Sequence, residues 1–151
     1  MKNAVLCVAI GNKTKLYSLC IKTTKQYANK IGAEFILLEE PYFKIDWEVE
    51  ERFQSNKQAR YAWVQKLYAI TLLEKYDRVL LIDADIIVTP NSPDIFAAYP
   101  DTSKQYALFE SLYYKKPIPD INKIEKTLGE LNNWPYHGNV KQYLNAGVIL
   151  F

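Results

Sequence analysis

Short, mainly apolar runs along the chain predict the strands of a buried sheet. They cover Ala4–Ile10, Glu34–Leu38, Val79–Ile82, Tyr106–Phe109 and Tyr143–Phe151. Strands that are covered on both faces are continuously apolar, whereas half-buried strands alternate apolar and polar residues. The pattern therefore predicts a central sheet with other elements packed on both of its faces.

Helical periodicity fills the intervals between these runs. Apolar residues recur at spacings of three and four after Thr14, a residue type that caps helices, and this pattern ends at Gly32. A second helical pattern covers Lys57–Tyr76, a short helix or turn is expected within Pro93–Tyr99, and a third helical stripe covers Ile121–Leu131. Because the chain opens with strand, helix and strand, a crossover unit and a mostly parallel sheet are predicted.

The composition indicates one globular domain that we expect to be cytoplasmic. The chain has 151 residues, of which 49% are hydrophobic and 24% charged, and its formal net charge is +2. So small a charge, without a basic block, argues against nucleic acid as a partner. The apolar stretches are too short for a transmembrane segment. Cys7 and Cys20 lie in apolar surroundings, as expected of buried, reduced thiols.

The most informative stretch is the acid pair that follows Val79–Ile82. Asp83 and Asp85 come directly after this run with only Ala84 between them. Ligands of open α/β sheets bind beyond the carboxyl ends of the strands, and in extended chain residues two apart point to one side. Two carboxylates there suit Mg²⁺ or Mn²⁺, which keep positions open for phosphate oxygens. The pair predicts a metal–diphosphate site, the alternative being a solvated turn without function.

A wider pattern around this motif resembles a known enzyme family. It combines VLLIDADIIV, the basic residue Lys66 seventeen positions before Asp83, and the later strand YLNAGVILF. This combination is similar to the GT-A nucleotide-sugar glycosyltransferases, most of all to glycosyltransferase family 8, the glycogenin-like and bacterial galactosyltransferase-like group. The resemblance implies an α/β, Rossmann-like GT-A fold with a mostly parallel central sheet and helices on both faces. It extends along the whole chain, so residues 1–151 are expected to form one nucleotide-sugar-binding domain.

The resemblance implies roles for four polar residues. In the family the first acid of the motif contacts the nucleotide ribose or the metal and the second chelates the metal, which here gives Asp83 and Asp85. Lys66 would lie near the donor diphosphate or sugar, so Lys66 and Asp85 are the expected catalytic residues. Asn145 of the late strand would contact the donor sugar. The alternative for Lys66 is a solvated lysine on a helix. The alternative for Asn145 is a strand-end asparagine whose side chain hydrogen-bonds the neighbouring backbone.

The resemblance also implies a cradle for the nucleotide. The end of the first strand holds the base and ribose in the family, which makes candidates of Ala9, Ile10, Gly11 and Asn12. Ala84, between the two acids, joins them as a cofactor-binding residue. An ordinary turn after a strand is the alternative for this segment.

The implied reaction moves a sugar from a nucleoside diphosphate donor, expected to be a UDP-sugar, to a glycan, protein or small-molecule acceptor with retention of configuration. A divalent ion held by Asp83 and Asp85 and helped by Lys66 would stabilise the charge of the leaving diphosphate. Two other functions stay open. One is a GT-A module that binds a nucleotide or glycan without turnover. The other is a haloacid-dehalogenase-like phosphatase with Asp83 as nucleophile. It is less favoured because the Asp-x-Asp motif of those enzymes normally comes at the end of the first strand, whereas two predicted strands precede it here.

Two features of the family do not follow its usual order here. The further histidine ligand normally comes after the Asn-small-Gly strand, whereas His137 precedes it and is left unassigned. The acidic segment that positions the sugar would lie beyond Phe151, where the chain ends within an apolar run. We therefore expect a C-terminally incomplete catalytic domain with the Asp83 and Asp85 site open on one side.

Overall fold

The computed structural model describes residues 1–11, 14–44, 62–109, 136–137, 140–141 and 144–151, with backbone alone at 108–109, 136–137, 140–141 and 144–145. The described strands are β1 (Asn3–Val8), β2 (Glu34–Leu38), β3 (Arg78–Asp83), β4 (Tyr106–Phe109), β5 (Tyr136–His137), β6 (Val140–Lys141) and β7 (Leu144–Leu150). The described helices are α1 (Lys15–Lys30), α2 (Tyr68–Leu72) and α3 (Ile95–Ala98).

The chain divides into two compact units. The first comprises Met1–Tyr106 and Gly147–Phe151, and the second comprises Ala107–Ala146. The first unit holds β1, β2, β3 and the three described helices. In the second unit, β5 and β6 pair antiparallel.

The main sheet has the strand order β2-β1-β3-β7-β4 among the described strands. β1 lies parallel to both β2 and β3, with Val5 opposite Phe35 on one side and Leu80 on the other. β7 runs antiparallel to β3, with Leu150 opposite Leu80, so the sheet is mixed. The predicted strand–helix–strand crossover from β1 through α1 to β2 is confirmed.

Helices cover both faces of this sheet. On one face, alternate residues of β1 and β3 pack against Ala69 and Leu72 of α2. On the other face, Val5, Leu80 and Ile82 of these strands pack against Tyr27 and Ala28 of α1 and against Phe96 of α3. Successive side chains of a strand point to opposite faces, so a continuous apolar run supplies both cores. The expected α/β fold with helices on both faces is confirmed.

Helix α1 begins and ends where the sequence predicts. The hydroxyl oxygen of Thr14 accepts a hydrogen bond from the N–H of Tyr17 at 3.3 Å, which satisfies one donor of the first turn. Gly32 has a φ of +68°, in the left-handed region that favours glycine. The N–H of Ala33 then donates to the carbonyl of Ala28 at 2.9 Å and closes the helix end.

The helix predicted over Lys57–Tyr76 is wrong in its extent. Its first part, up to residue 61, lies outside the described residues. Residues 62–65 are helical, a turn follows, and α2 ends at Leu72. The predicted element is thus two short helical segments within the described chain.

The interruption has a clear hydrogen-bond pattern. The N–H groups of Lys66 and Leu67 donate to the carbonyls of Trp63 and Val64, three residues earlier, at 3.1 and 3.0 Å. Such bonds tighten the backbone to the 3₁₀ type, which departs from the α-helical period. The predicted site residue Lys66 therefore lies in the turn between the two helical segments.

The remaining elements follow the sequence with two differences. β2, β4 and α3 lie in the predicted segments, whereas β1 ends at Val8, so that Ala9 and Ile10 follow the strand. The two-residue strands β5 and β6 were not predicted. The stripe over Ile121–Leu131 lies outside the described residues. Within the described chain, a helix with the length and apolar character of a membrane span is not found.

Candidate functional site

The candidate site lies at the carboxyl ends of β1 and β3. Val8, the last residue of β1, is paired with Asp83, the last residue of β3, so the segments that follow leave the sheet side by side. The chain passes from β1 to β2 on one side and then to β3 on the other, which makes this point a topological switch of the sheet. Ligands of open α/β sheets bind at such points.

A pocket of about 330 Å³ occupies this position in the first unit. Its size lies within the range of small-molecule sites. Its lining residues come from the end of β1 and the segment after it, from α1, from the helical segment at 62–65 with the turn that follows, and from the end of β3 with its turn. They are Val8, Ala9, Ile10, Gly11, Tyr17, Ala62, Trp63, Lys66, Asp83, Ala84 and Asp85. The structure therefore brings together most of the residues that the sequence assigned to the site.

Lys66 and Asp83 form a close ion pair in this pocket. The Nζ atom of Lys66 lies 2.6 Å from Oδ1 of Asp83 and 2.8 Å from its Oδ2, so the ammonium contacts both carboxylate oxygens. The two side chains are only 16% and 26% exposed. Hydrogen bonds between an ammonium and a carboxylate are stronger than those between neutral groups, and partial burial limits their screening by salt. Lys66 is therefore not a solvated helical lysine.

The environment of Asp83 disfavours an uncompensated negative charge. Burial raises the pKa of the Asp83 carboxyl above its ordinary value. The hydrogen bond and positive charge of Lys66 act to lower that pKa, while the charge of Asp85 raises it further. A second cation between the two carboxylates would favour the ionised form of Asp83.

Asp85 lies in a turn and not in extended chain. β3 ends at Asp83, and the N–H of Ile86 donates to the carbonyl of Asp83 at 3.1 Å, which closes a turn over Ala84 and Asp85. The predicted reason for a shared side, strand alternation, is therefore wrong, although both carboxylates line the same pocket. Ala84 is buried and Asp85 is exposed, so the turn presents the second carboxylate to solvent.

The segment after β1 lines the pocket mainly through small residues. The N–H of Ala9 donates to the carbonyl of Leu38 at 2.8 Å, and its side chain is buried. Gly11 has a φ of +108°, a conformation that residues with a side chain rarely adopt. Ile10 lies between them and also lines the pocket. Asn12, the fourth residue expected in this cradle, lies outside the described residues.

Asn145 is on β7, within the second unit. Its side chain lies outside the described residues, so its contact with a donor sugar stays a prediction. His137, which was left unassigned, is on β5.

Sequence reasoning missed Gln65, which fixes the position of Lys66. The fully buried amide of Gln65 donates to the carbonyl of Phe43 at 2.9 Å and accepts from the N–H of Phe43 at 2.8 Å. These two bonds tie the helical segment to the chain that follows β2. The only signal in the sequence is that Gln65 precedes the buried Ala69 by one helical turn.

Two aromatic residues of the pocket were also missed. Tyr17 comes from the first turn of α1, and Trp63 lies three residues before Lys66. Trp63 is 63% exposed, which is high for a residue with so large an apolar ring. Exposed aromatic faces in a pocket provide surfaces on which bases and sugars stack.

A thiol packs beside the small residues of the site. Cys7 is buried against Ala9 and Ala84. Burial, with a further contribution from the negative charge of Asp83, raises the pKa of the Cys7 thiol to about 12. A raised pKa favours the protonated thiol at neutral pH, which disfavours Cys7 as a nucleophile. Both cysteines are free and buried, as predicted.

Comparison with known families decides the identity of the chain. The family model of glycosyl transferase family 8 matches residues 7–151. This chain belongs to glycosyl transferase family 8. The resemblance found in the sequence is confirmed, and the phosphatase alternative is set aside. A search of curated proteins returned no significant match.

One solved structure similar to this family 8 chain is a glycosyltransferase involved in the glycosylation of the major capsid of PBCV-1. The two chains are 16% identical and superpose with a TM-score of 0.48. The alignment covers 99% of this chain and 59% of that chain. The present chain thus spans somewhat more than half the length of that glycosyltransferase.

The donor set of this family 8 chain fits a cation that binds jointly with a diphosphate. Asp83 and Asp85 are hard oxygen donors, and Mg²⁺ is usually held by one or two carboxylates together with phosphate oxygens and waters. Within the described part of the chain, no group of three or more histidine, cysteine or acidic side chains is arranged to hold a metal ion. Two carboxylates leave coordination positions open for waters and for the oxygens of a diphosphate.

Proposed function

We propose that residues 1–151 form the nucleotide-sugar-binding GT-A domain of a metal-dependent glycosyltransferase. The donor is a UDP-sugar, and the sugar passes to a glycan, protein or small-molecule acceptor with retention of configuration. The observation that carries this proposal is the convergence of Asp83, Asp85 and Lys66 on one pocket at the carboxyl ends of β1 and β3. Membership in glycosyl transferase family 8 supports it.

The proposed chemistry follows from the charges in the pocket. Transfer breaks the bond between the anomeric carbon and a diphosphate oxygen, so negative charge grows on the diphosphate. A bound Mn²⁺ or Mg²⁺ stabilises such charge as a Lewis acid. Asp83 and Asp85 hold the cation, and Lys66 adds a second positive charge in the same partly buried pocket. Lys66 and Asp85 are the proposed catalytic residues.

The other pocket residues bind the donor in this proposal. Gly11, whose φ of +108° favours glycine, has no side chain, so a base or ribose can approach the main chain that follows Ala9 and Ile10. Ala84 leaves room beside the carboxylates for the diphosphate. We also assign Asn12 to the nucleotide and Asn145 to the donor sugar by their positions in the family motif.

The test is metal-dependent release of UDP from a panel of UDP-sugars, with Mn²⁺, with Mg²⁺ and with EDTA. We expect any release of UDP to require Mn²⁺ or Mg²⁺ and to stop with EDTA. Asp85→Asn keeps the side-chain shape but removes a ligand charge, so the cation that stabilises the leaving diphosphate is held less well and the rate should fall about a hundredfold. Asp101→Asn, at a carboxylate outside the pocket, is the matched control and should leave the rate unchanged.

Three results would contradict the proposal. Metal-dependent UDP binding without release from any donor would favour a nucleotide-binding module without turnover. Phosphate release from phosphomonoesters would favour a phosphatase. Equal rates for wild type and Asp85→Asn would remove the second carboxylate from the site.

A further inference from the structure

Lys66 occupies the carboxylate that the proposed metal requires. Its Nζ contacts both oxygens of Asp83, at 2.6 and 2.8 Å, and little of either side chain is exposed. Asp85, by contrast, is exposed in the turn after β3. The two carboxylates are therefore not equivalent, because one already holds a cation and the other faces solvent.

A divalent ion on Asp83 would lie at contact distance from this ammonium. Like charges so close repel each other strongly where the surroundings are partly desolvated. A diphosphate changes this balance, since its oxygens offer the Lys66 ammonium a second anionic partner. A metal that arrives with a diphosphate therefore meets less opposition from Lys66 than a metal that arrives alone.

We propose that Lys66 makes the site select a metal together with a diphosphate over the metal alone. In the chain without donor, the Lys66 ammonium neutralises Asp83. In the loaded site, Lys66 leaves the Asp83 oxygens and bonds the diphosphate, and Asp83 joins Asp85 as a metal ligand. This inference rests on the proposed function, because it takes the same pocket as the metal–diphosphate site.

The local backbone suits such an exchange. The amide of Gln65 is bonded twice to the backbone of Phe43, so the main chain beside Lys66 is held in place. Lys66 itself carries its charge on a flexible four-carbon stem with three rotatable donors. The ammonium can therefore change partner by side-chain rotation while the helical segment stays where it is.

The exchange couples the two ligands. If Lys66 opposes the metal only until a diphosphate is present, then diphosphate must tighten metal binding, and metal must tighten diphosphate binding by the same factor. Removal of the Lys66 charge should break this coupling. It should strengthen binding of the metal alone and weaken binding of the diphosphate, a pair of effects with opposite signs.

The experiment measures free Mn²⁺ by its electron paramagnetic resonance signal, with and without UDP. Lys66→Met removes the charge and keeps the length of the side chain, and should bind Mn²⁺ alone roughly tenfold more tightly than wild type, within the usual range of coupling. UDP should tighten Mn²⁺ binding in wild type and much less in the variant. Lys66→Arg should restore the wild-type pattern, and Lys75→Met, at an exposed lysine that pairs with Glu34, should not change it.

The outcomes separate this inference from the proposed function. Unchanged or weaker binding of Mn²⁺ alone by Lys66→Met overturns the inference. If the Lys66→Met variant does not fold, Lys66→Gln is used in its place in the same measurement. If Asp85→Asn loses joint Mn²⁺ and UDP binding while Lys66→Met behaves as wild type, only the role of Lys66 is wrong. If Asp85→Asn binds Mn²⁺ and UDP as wild type does, the proposed function itself is wrong.

Discussion

At the residue scale, Gln65 shows how one buried polar side chain can position a charged one. Its amide satisfies both the N–H and the carbonyl of Phe43. Gln65→Ala should lower the free energy of unfolding by about 1–3 kcal/mol, because it leaves buried polar groups without these partners. Denaturant unfolding measures this change. The matched control, Gln26→Ala on the exposed face of α1, should stay within about 0.5 kcal/mol of wild type.

The buried thiol Cys7 gives a second expectation at this scale. A folded-state pKa of about 12 keeps the thiol protonated at pH 8, and only the thiolate reacts with alkylating reagents. We expect iodoacetamide to label Cys7 in denaturant but not in the folded chain, as mass spectrometry of digested protein can show. Rapid labelling of the folded chain at pH 8 would mean that the Cys7 thiol is accessible to iodoacetamide and that its pKa is not raised.

Single residues also mark where the sequence was sufficient and where it was not. Asp83, Asp85 and Lys66 could be found because charged residues stand out beside apolar runs and at a motif spacing. The Lys66–Asp83 ion pair and the Gln65–Phe43 bonds could not, since they join residues 17 and 22 positions apart in ways that the spacing does not specify. Trp63 carried no signal because an exposed aromatic breaks no periodic pattern.

At the scale of elements, strands were predicted better than helices. A continuous apolar run leaves few alternatives to a covered strand, and β2 and β4 coincide with their predicted bounds. The interrupted helix kept its apolar period on both sides of Lys66, so no local pattern revealed the break. The two residues of β5 and of β6 are too few to show any period at all.

The cap of α1 is testable by one substitution. Thr14→Ala removes the oxygen that accepts from the N–H of Tyr17, and should lower the free energy of unfolding by about 1 kcal/mol. Thr14→Ser keeps the oxygen and should retain most of the stability. Thermal and denaturant unfolding of both variants measure the difference. Equal losses in the two variants would show that the hydroxyl does not act as the cap.

β3 lies between β1 and β7, with helices on both faces, so its residues should be the most sensitive to truncation. Leu81 is fully buried, and Leu81→Ala should cost about 2–5 kcal/mol because it removes apolar contacts and leaves a cavity. Leu16→Ala, at a half-exposed leucine of α1, is the matched control and should cost no more than about 0.5 kcal/mol. A similar cost in both variants would contradict the assignment of β3 to the core.

At the scale of the whole molecule, sheet topology brings the residues of the candidate site together. Val8 and Asp83 are far apart in the sequence, yet the parallel pairing of β1 with β3 makes them neighbours. The sequence predicted a mostly parallel sheet and an acid pair at a strand end, and the rule that ligands bind beyond strand ends connected the two. Strand order was not predictable from the runs themselves, because every covered strand has the same apolar character.

The central claim is that Asp83 and Asp85 bind a metal and a nucleoside diphosphate together. Titration calorimetry of UDP, with GDP in parallel, tests it most directly in wild type and in Asp85→Asn, each with Mn²⁺ and with EDTA. We predict that Mn²⁺ strengthens the binding of at least one of these nucleotides to wild type and has little effect in the variant. Nucleotide affinity that is the same with Mn²⁺ and with EDTA, or the same in both proteins, would contradict the claim.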